Sequence, residues 1–315
     1  NYVWGPSNRH AGPYYVQNIE FRMLESDVVV AGLEALELDF AGLSSKDLPR
    51  IQSTGKFQIL EAMTPGMWPA ITFNNSRSPF DDLHVRKALS MAIDRDKLTT
   101  AVTGLGEAPA YGWVAPGVWN YTPQQFDYAH TPYAERLAEA RRLYAQAGYS
   151  AARPLQVELR YNSGDQHNRL AVAVAAMWKE ALGVETTLYA EEFRALLQSI
   201  QARKDTQVFR SSWVGDFNDA YTFAQLLQTD FGINLSGYSN PRYDALLADA
   251  VRQADPARRR ALLEEAERVM LADHPVLPLY FYVNKHLVKP WVRGWTDNVM
   301  NVVYSKDLQL QPPAP

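Results

Sequence analysis

The chain has 315 residues, of which 47% are hydrophobic and 12% aromatic, enough apolar material for about two domains and too much for a chain that is mainly disordered. Its formal net charge of −4 gives no general attraction to nucleic acid or to anionic lipid. The absence of cysteine excludes disulfides, zinc–thiolate sites and thiol nucleophiles.

The amino-terminal third shows two kinds of periodicity. Alternation of apolar and polar residues, which is typical of half-buried strands, occurs at residues 19–23, 57–59 and 71–74. Apolar residues at helical spacing predict a helix over residues 85–93, and Asp94 is placed to cap a second helix that runs to about Val102.

From residue 131 onward, helical and strand patterns alternate. Helices are predicted at residues 131–147, 167–182, 193–203, 243–253 and 256–272. Strands are predicted at residues 155–161, 184–188, 208–213 and 277–283. Gly148 and Gly183 are placed to stop the first two helices. The alternation predicts an α/β domain with a partly parallel sheet.

Signatures of common enzyme classes are missing from the sequence. Its six histidines form neither an HExxH motif nor an i, i+4 pair, and it contains no GxSxG elbow and no Walker loop. Asp81 and Asp82 are adjacent carboxylates, as are Glu191 and Glu192, and neighbours point apart on a helix or strand. We therefore expect no catalytic residue, no metal site and no cofactor.

One segment combines a strand pattern with the residues of a candidate ligand site. Residues 209–223 read FRSSWVGDFNDAYTF, and the strand pattern places Arg210 and Trp213 on opposite faces before Gly215 and Asp216 end it. An acid at the carboxyl end of a strand suits ligand binding in α/β sheets. The local pattern by itself favours a turn aspartate and a core tryptophan.

A wider set of motifs favours the ligand site. Residues 74–98 read NNSRSPFDDLHVRKALSMAIDRDKL, which resembles a hallmark of the peptide- and nickel-binding family of ABC-transporter solute-binding proteins, family 5. Further matching pieces follow in order: PAYGWVAP, YNSGDQH, WVGDFND, GYSNPRYDAL and LPLYFYVNKHLVKPWVRGW. The last resembles especially the oligopeptide receptors of the Gram-negative periplasm. The chain is identified as a member of this family over nearly its whole length.

The resemblance implies a periplasmic-binding-protein-like (type II) α/β fold with two lobes and a double-crossover hinge. Residues 1–66 would form part of lobe one, residues 67–283 the ligand-binding lobe two, and residues 284–315 the return to lobe one. Lobe one would be incomplete, since family members carry a substantial amino-terminal segment that this chain lacks. Export to the periplasm is implied as well.

The function implied by the resemblance is peptide capture for an ABC importer. Such receptors bind oligopeptides by their backbone and charged termini and deliver them to a membrane permease complex, and we expect a monomer that binds no nucleic acid. Two alternatives remain open at this point. The same fold could bind a nickel chelate, an opine or a sugar, or the extended cleft could belong to a hydrolase.

The resemblance assigns the amino terminus of a peptide to one end of the site. Asp216 occupies the matching position of the WxxD pattern and would receive the ammonium group. Trp213 would wall the site and pack on ligand side chains, and Val214 is grouped with it as a ligand contact.

The carboxyl terminus of a peptide needs a cation, and two residues are candidates. Arg210 stands in an otherwise apolar strand, and His167 matches a second such position. Arg210 could instead pair with an internal acid, and His167 could be an ordinary helix amino-terminal residue. Phe193 stands where oligopeptide receptors often have tryptophan, or belongs to the core. Relatives can carry lysine where Thr103 stands, so their preferred peptide length is not carried over.

The hallmark residues themselves are interpreted as structural. Pro79 with Asp81 and Asp82 predicts a helix entry with N-capping acids. Arg86 and Arg95 are expected to pair with nearby acids, at little net gain if exposed.

Overall fold

The computed structural model describes residues 31–32, 38–42, 51, 53, 58–63, 67–203, 206–296, 298 and 302–311. The strand predicted at residues 19–23 lies outside them. Contacts divide the chain into two compact units, one comprising Asn1–Thr64 with Val283–Pro315 and the other comprising Pro65–Tyr282. The assignment of these units to the lobes of a closing receptor stays a prediction.

Twelve strands and eight α-helices have both of their ends in the described ranges. The strands are β1 (Phe40–Gly42), β2 (Gln58–Met63), β3 (Met67–Phe73), β4 (Ala108–Pro109), β5 (Gln156–Asn162), β6 (Glu185–Glu191), β7 (Val208–Val214), β8 (Val276–Pro278), β9 (Tyr280–Phe281), β10 (Val283–Val288), β11 (Val292–Arg293) and β12 (Gln309–Leu310). The helices are α1 (Leu83–Met91), α2 (Arg95–Lys97), α3 (Tyr133–Gln146), α4 (Asp165–Leu182), α5 (Phe193–Ala202), α6 (Tyr221–Ala224), α7 (Pro241–Arg252) and α8 (Pro256–Asp273).

The first unit contains a three-stranded antiparallel sheet in the order β1-β10-β2. Its central strand, β10, comes from the carboxy-terminal segment, whereas both neighbours come from the amino-terminal one. The same unit contains a two-residue antiparallel pairing of β11 with β12.

The second unit is built on a five-stranded mixed sheet in the order β6-β5-β7-β3-β8. β5 runs parallel to β6 and β7, while β3 is antiparallel to β7 and β8. The prediction of a partly parallel sheet is therefore confirmed. The ladder between β5 and β7 contains only Leu159–Val208 and Arg160–Phe209, so the last five residues of β7 extend beyond it.

Helix boundaries follow the capping residues that the sequence offers. The Asp82 carboxylate accepts a hydrogen bond from the His84 amide at 2.7 Å and so begins α1, as predicted. Gly183, with a φ of 76°, ends α4 in the left-handed conformation that glycine adopts without strain. Trp178 of α4 is fully buried, and its indole donates to the Leu89 carbonyl at 3.0 Å, which joins α4 to α1.

The single strand predicted at residues 277–283 is instead three short strands. Pro278 ends β8 and has no amide hydrogen, and the next amide, of Leu279, donates to the Pro69 carbonyl at 3.1 Å. β9 then pairs with β4, and β10 joins the first unit. A continuous apolar run therefore changes its pairing strands twice, from β3 to β4 and then to β1 and β2, which periodicity cannot show.

Arg86 and Arg95 do not form the predicted ion pairs. Both side chains are buried, at 8% and 0% exposure, and no carboxylate of the described residues bonds either one. Arg86 donates to the carbonyls of Phe80, at 2.8 Å, and of Asp273, at 2.7 Å. The reason is that main-chain carbonyls from separate chain segments lie around both guanidinium groups and accept most of their hydrogen bonds.

No helix in the described ranges is long and apolar enough to cross a lipid bilayer.

Candidate functional site

A cavity of about 340 Å³ lies within the second unit, beside the part of β7 that extends beyond the β5 ladder. Its floor is apolar, since Leu196 and Ile200 of α5 and Phe209 of β7 line it and are buried. Phe193 and Ile233 also line it and are 56% and 40% exposed, so they lie where the cavity opens to solvent. Pockets of this size accept small ligands or individual side chains.

Arg210 is the cation of this cavity. It is 8% exposed, and its Nη1 and Nη2 atoms donate to the Asn162 amide oxygen at 3.0 Å and the Tyr282 hydroxyl at 3.2 Å. Its Nε atom is buried without a hydrogen-bond partner. No Asp or Glu within the described ranges forms an ion pair with it. The described residues therefore do not support the alternative in which Arg210 pairs with an internal acid. A buried cation with neutral partners can accept an external anion.

Trp213 lines the same cavity from the other face of β7. Its side chain is half-buried, and the indole Nε1 is buried without a hydrogen-bond partner. Trp213 Nε1 and Arg210 Nε are thus two unsatisfied donors on residues that line one cavity. Buried polar groups are nearly always hydrogen-bonded, so unsatisfied donors on two residues of β7 distinguish this part of the strand.

His167 lies in the first turn of α4, half-buried, and is not part of the cavity lining. Burial lowers the pKa of its imidazole to about 4, and the positive charge of Arg210 adds to that shift. The structure therefore brings His167 into the electrostatic range of Arg210. Near pH 7 the imidazole is neutral here, so it offers a hydrogen bond rather than a positive charge.

Asp216 begins the loop that follows β7. Its amide donates to the Thr222 hydroxyl at 3.1 Å, and that hydroxyl lies 3.4 Å from the Asp216 carboxylate. Asp219, three residues on, caps the Tyr221 amide at 2.8 Å and pairs with Arg259 through two bonds of 2.6 and 2.9 Å. The loop is therefore fixed at Asp219, while the Asp216 carboxylate is exposed to solvent.

The two remaining predicted residues lie in different settings. Phe193 is the first residue of α5 and is exposed at the cavity opening, so it does not belong to the core. Val214, the last residue of β7, is 45% exposed and does not line the cavity.

Sequence reasoning did not single out the residues that hold Arg210 in place. Asn162 stands at the end of β5 in the quoted piece YNSGDQH, and Tyr282 stands in LPLYFYV. Both were therefore within recognised motifs. Their function depends on β5, β7 and the segment after β9 meeting in space, which no local pattern reports.

A buried acid organises the chain segment that supplies another wall of the cavity. Glu267 of α8 accepts hydrogen bonds from the amides of Trp113, at 2.6 Å, and Val114, at 2.8 Å, and from the Tyr121 hydroxyl, at 2.5 Å. Burial raises the pKa of Glu267 to about 7 although these donors lower it. Trp113 lines the cavity, so Glu267 positions part of its wall.

The hallmark motifs and this fold agree with one family of proteins. Residues 1–235 match the bacterial extracellular solute-binding proteins, family 5 Middle. The chain belongs to this family. Family 5 consists of solute-binding proteins rather than enzymes, which confirms the family prediction and the expectation of no enzymatic activity.

Curated relatives of this family 5 protein include two from Escherichia coli. The periplasmic murein peptide-binding protein MppA is 36% identical over 239 residues, 76% of this chain and 44% of the relative. The probable deoxycholate-binding periplasmic protein YgiS is 33% identical over 310 residues, 97% of this chain and 57% of the relative. The chain thus spans about half the length of the curated relatives it matches.

A solved structure agrees at the level of the fold. Haemophilus influenzae OppA in complex with the peptide RPPGFSPFR is 29% identical with a TM-score of 0.80, covering 90% of this chain and 56% of that one. The α/β fold of periplasmic binding proteins is therefore confirmed over part of their length.

Proposed function

We propose that this chain is part of the periplasmic substrate-binding component of an ABC importer, which captures oligopeptides and delivers them to a membrane permease complex. The protein acts as a monomer and uses no cofactor. The observation that carries the proposal is the buried guanidinium of Arg210, which lines a cavity with a free Nε donor and only neutral partners. Two of the relatives are named as peptide-binding proteins, and this also supports the proposal.

Arg210 receives the carboxylate terminus of the peptide. A guanidinium presents donors in a planar fork that matches a carboxylate, and burial strengthens the attraction. His167 adds a neutral hydrogen bond nearby. The ammonium terminus binds Asp216, with Trp213 and Val214 beside it, so charged termini rather than particular side chains fix the ligand.

Calorimetry on the full protein tests the carboxylate anchor. The probes are Ala-Ala-Ala and its carboxy-terminal amide, and the variants are Arg210→Met and, as a matched control, Arg169→Met, which removes an exposed arginine from α4. Amidation and Arg210→Met should each weaken binding at least tenfold without adding to one another, since both remove one interaction. The control should bind like the unmodified protein. If the unmodified protein binds Ala-Ala-Ala and its carboxy-terminal amide equally tightly, Arg210 does not anchor the carboxylate.

One observation favours a second candidate function. The relative that aligns with 97% of this chain is named for deoxycholate binding, and a mainly apolar cavity with one cation also suits an amphipathic carboxylate such as a bile acid. Deoxycholate that binds tightly while no peptide binds would favour this function. The described residues contain no cluster of three or more metal-binding side chains, and no observation favours an opine or a sugar.

A further inference from the structure

One part of the cavity lining consists of apolar side chains only. Leu196, Leu197 and Ile200 of α5 face it together with Leu226 and Leu227 from the segment after α6. These side chains, which we call the apolar wall, make the lining mainly apolar, and the most buried of them are exposed to solvent by 7% or less.

Arg210 is the one charged residue of the described lining, and the polar residues around it are neutral. The Thr72 and Ser211 hydroxyls bond each other at 2.7 Å, and the Ser236 hydroxyl donates to the Asn234 side chain at 2.8 Å. The unsatisfied buried atoms on lining residues are Nε of Arg210 and Nε1 of Trp213. No carboxylate lines the cavity.

We propose that this cavity makes the receptor selective for a peptide with a large apolar side chain at one position, and that it excludes lysine and arginine there. The inference rests on the proposed peptide-binding function and adds to it a preference that capture by charged termini does not supply. Arg210 fixes the carboxylate of the ligand, and the apolar wall beside it receives one neighbouring side chain.

Two physical effects produce this selectivity. A phenyl or isobutyl group that moves from water onto the apolar wall loses no hydrogen bond. Its transfer favours binding in proportion to the apolar area that is buried. A buried ammonium or guanidinium group would lie beside the cationic Arg210 and would find no protein carboxylate in the described lining, and an unpaired buried charge is strongly unfavourable. The exposed ring of Phe193 at the opening adds an aromatic contact for the entering side chain.

A positional scan on the full protein tests the inference. Calorimetry would compare Ala-Ala-Ala with peptides that carry Phe, and then Lys, at each position in turn. At one position Phe should bind at least about tenfold more tightly than Ala, and Lys more weakly than Ala.

A charge placed in the wall should invert the preference. Leu197 is half-buried and lines the cavity, so Leu197→Glu supplies the missing acid without altering the deepest core. In this variant the ratio of the affinity for the Lys peptide to that for the Phe peptide should rise at least about tenfold at the selective position. Gln198→Glu adds the same charge at the next, exposed residue of α5, outside the lining, and should leave the ratio unchanged. If the glutamate variant does not fold, Leu197→Ala takes its place. This variant keeps the wall apolar and should lower only the advantage of Phe over Ala.

The outcomes separate the inference from the function on which it rests. Equal affinities for Phe, Ala and Lys at every position, with Ala-Ala-Ala bound, would overturn the selectivity and leave peptide capture intact. The absence of binding for every peptide would overturn the proposed function and the inference with it.

Discussion

Buried arginines in this protein fall into two kinds, and only their partners distinguish them. Arg95 is fully buried, donates to the carbonyls of Ala110 and Pro278 at 2.8 and 2.9 Å, and lies 4.8 Å from the centre of the Tyr111 ring. Its donors are used to hold main-chain segments together. Arg210 is nearly as buried but retains an unused donor at a cavity.

This difference predicts that replacement by methionine affects stability much more at Arg95 than at Arg210. Arg95→Met leaves several buried carbonyls without a donor and should lower the free energy of unfolding by at least about 3 kcal/mol. Arg210→Met removes a buried charge that has only neutral partners, and should change it by less than about 1 kcal/mol. Urea denaturation followed by far-UV circular dichroism measures both. A large loss for Arg210→Met would mean that its role is structural.

Asp216 provides the second prediction at this scale, since its carboxylate is exposed here and is expected to meet a peptide ammonium group. Charge-assisted hydrogen bonds contribute about 1.5–3 kcal/mol each, and stranding a buried charge costs roughly 3–5 kcal/mol. Asp216→Asn in the full protein should therefore weaken peptide binding at least about 100-fold, at 1.4 kcal/mol per factor of ten. Calorimetry measures the change.

The control for this prediction modifies the ligand instead of the protein. N-acetylation of the peptide should weaken its binding to the unmodified receptor by a similar factor, and the two losses should not add. Asp249→Asn, which removes an exposed acid from α7, should have no effect. If free and acetylated peptides bind equally well, Asp216 does not anchor the amine.

At the scale of elements, α8 holds the segment of residues 111–124 through one carboxylate. Glu267 accepts four hydrogen bonds from that segment, and Gly112 has no space for a side chain because a Cβ atom would lie 2.0 Å from the Gln124 carbonyl oxygen. The segment therefore follows a single path, which places Trp113 against the cavity.

This arrangement predicts a pH dependence of stability. The folded-state pKa of Glu267, about 7, lies above its ordinary value of 4.5, so the folded protein retains this proton at a pH where the unfolded chain has lost it. Its contribution is fully present below about pH 4.5 and is lost as the pH rises to about 7. The full difference corresponds to roughly 3 kcal/mol.

Comparison with Glu267→Gln isolates this contribution from opposing ones. The pKa of His274 is lowered by burial to about 4, so its stabilising effect is lost as the pH falls from about 6.5 to 4, and it acts equally in both proteins. The unfolding free energy of the unmodified protein, minus that of the variant, should fall between pH 5 and 7 and then stay level. A difference that is constant with pH would contradict the raised pKa.

At the scale of the whole molecule, the second unit holds every helix from α1 to α8 and the five-stranded sheet. We expect a fragment spanning Pro65–Tyr282 to fold cooperatively on its own, because its core is formed within that range. A single urea transition seen by far-UV and near-UV circular dichroism would show this. A shorter fragment that ends at Pro275 lacks β8 and β9 and should not fold. A non-cooperative transition of the longer fragment would contradict the division.

The sequence by itself determined the family, the α/β alternation and most element boundaries. These features are local, since a capping aspartate such as Asp82 or a stop such as Gly183 acts on its own helix, and the period of apolar residues reports one face of one element. Arg210 and Trp213 were predicted for the same reason, as residues of one strand within a recognised motif.

Only the tertiary structure decided which partners these residues meet. The division of residues 276–288 among three strands, the carbonyls that surround Arg95 and the lining of the cavity by α5 all depend on segments far apart in the chain. The sequence shows that Arg210 is a cation in an apolar strand. Whether it meets an internal acid or faces a cavity is set by how β5, β7 and the residues around Tyr282 converge, and that is a property of packing rather than of pattern.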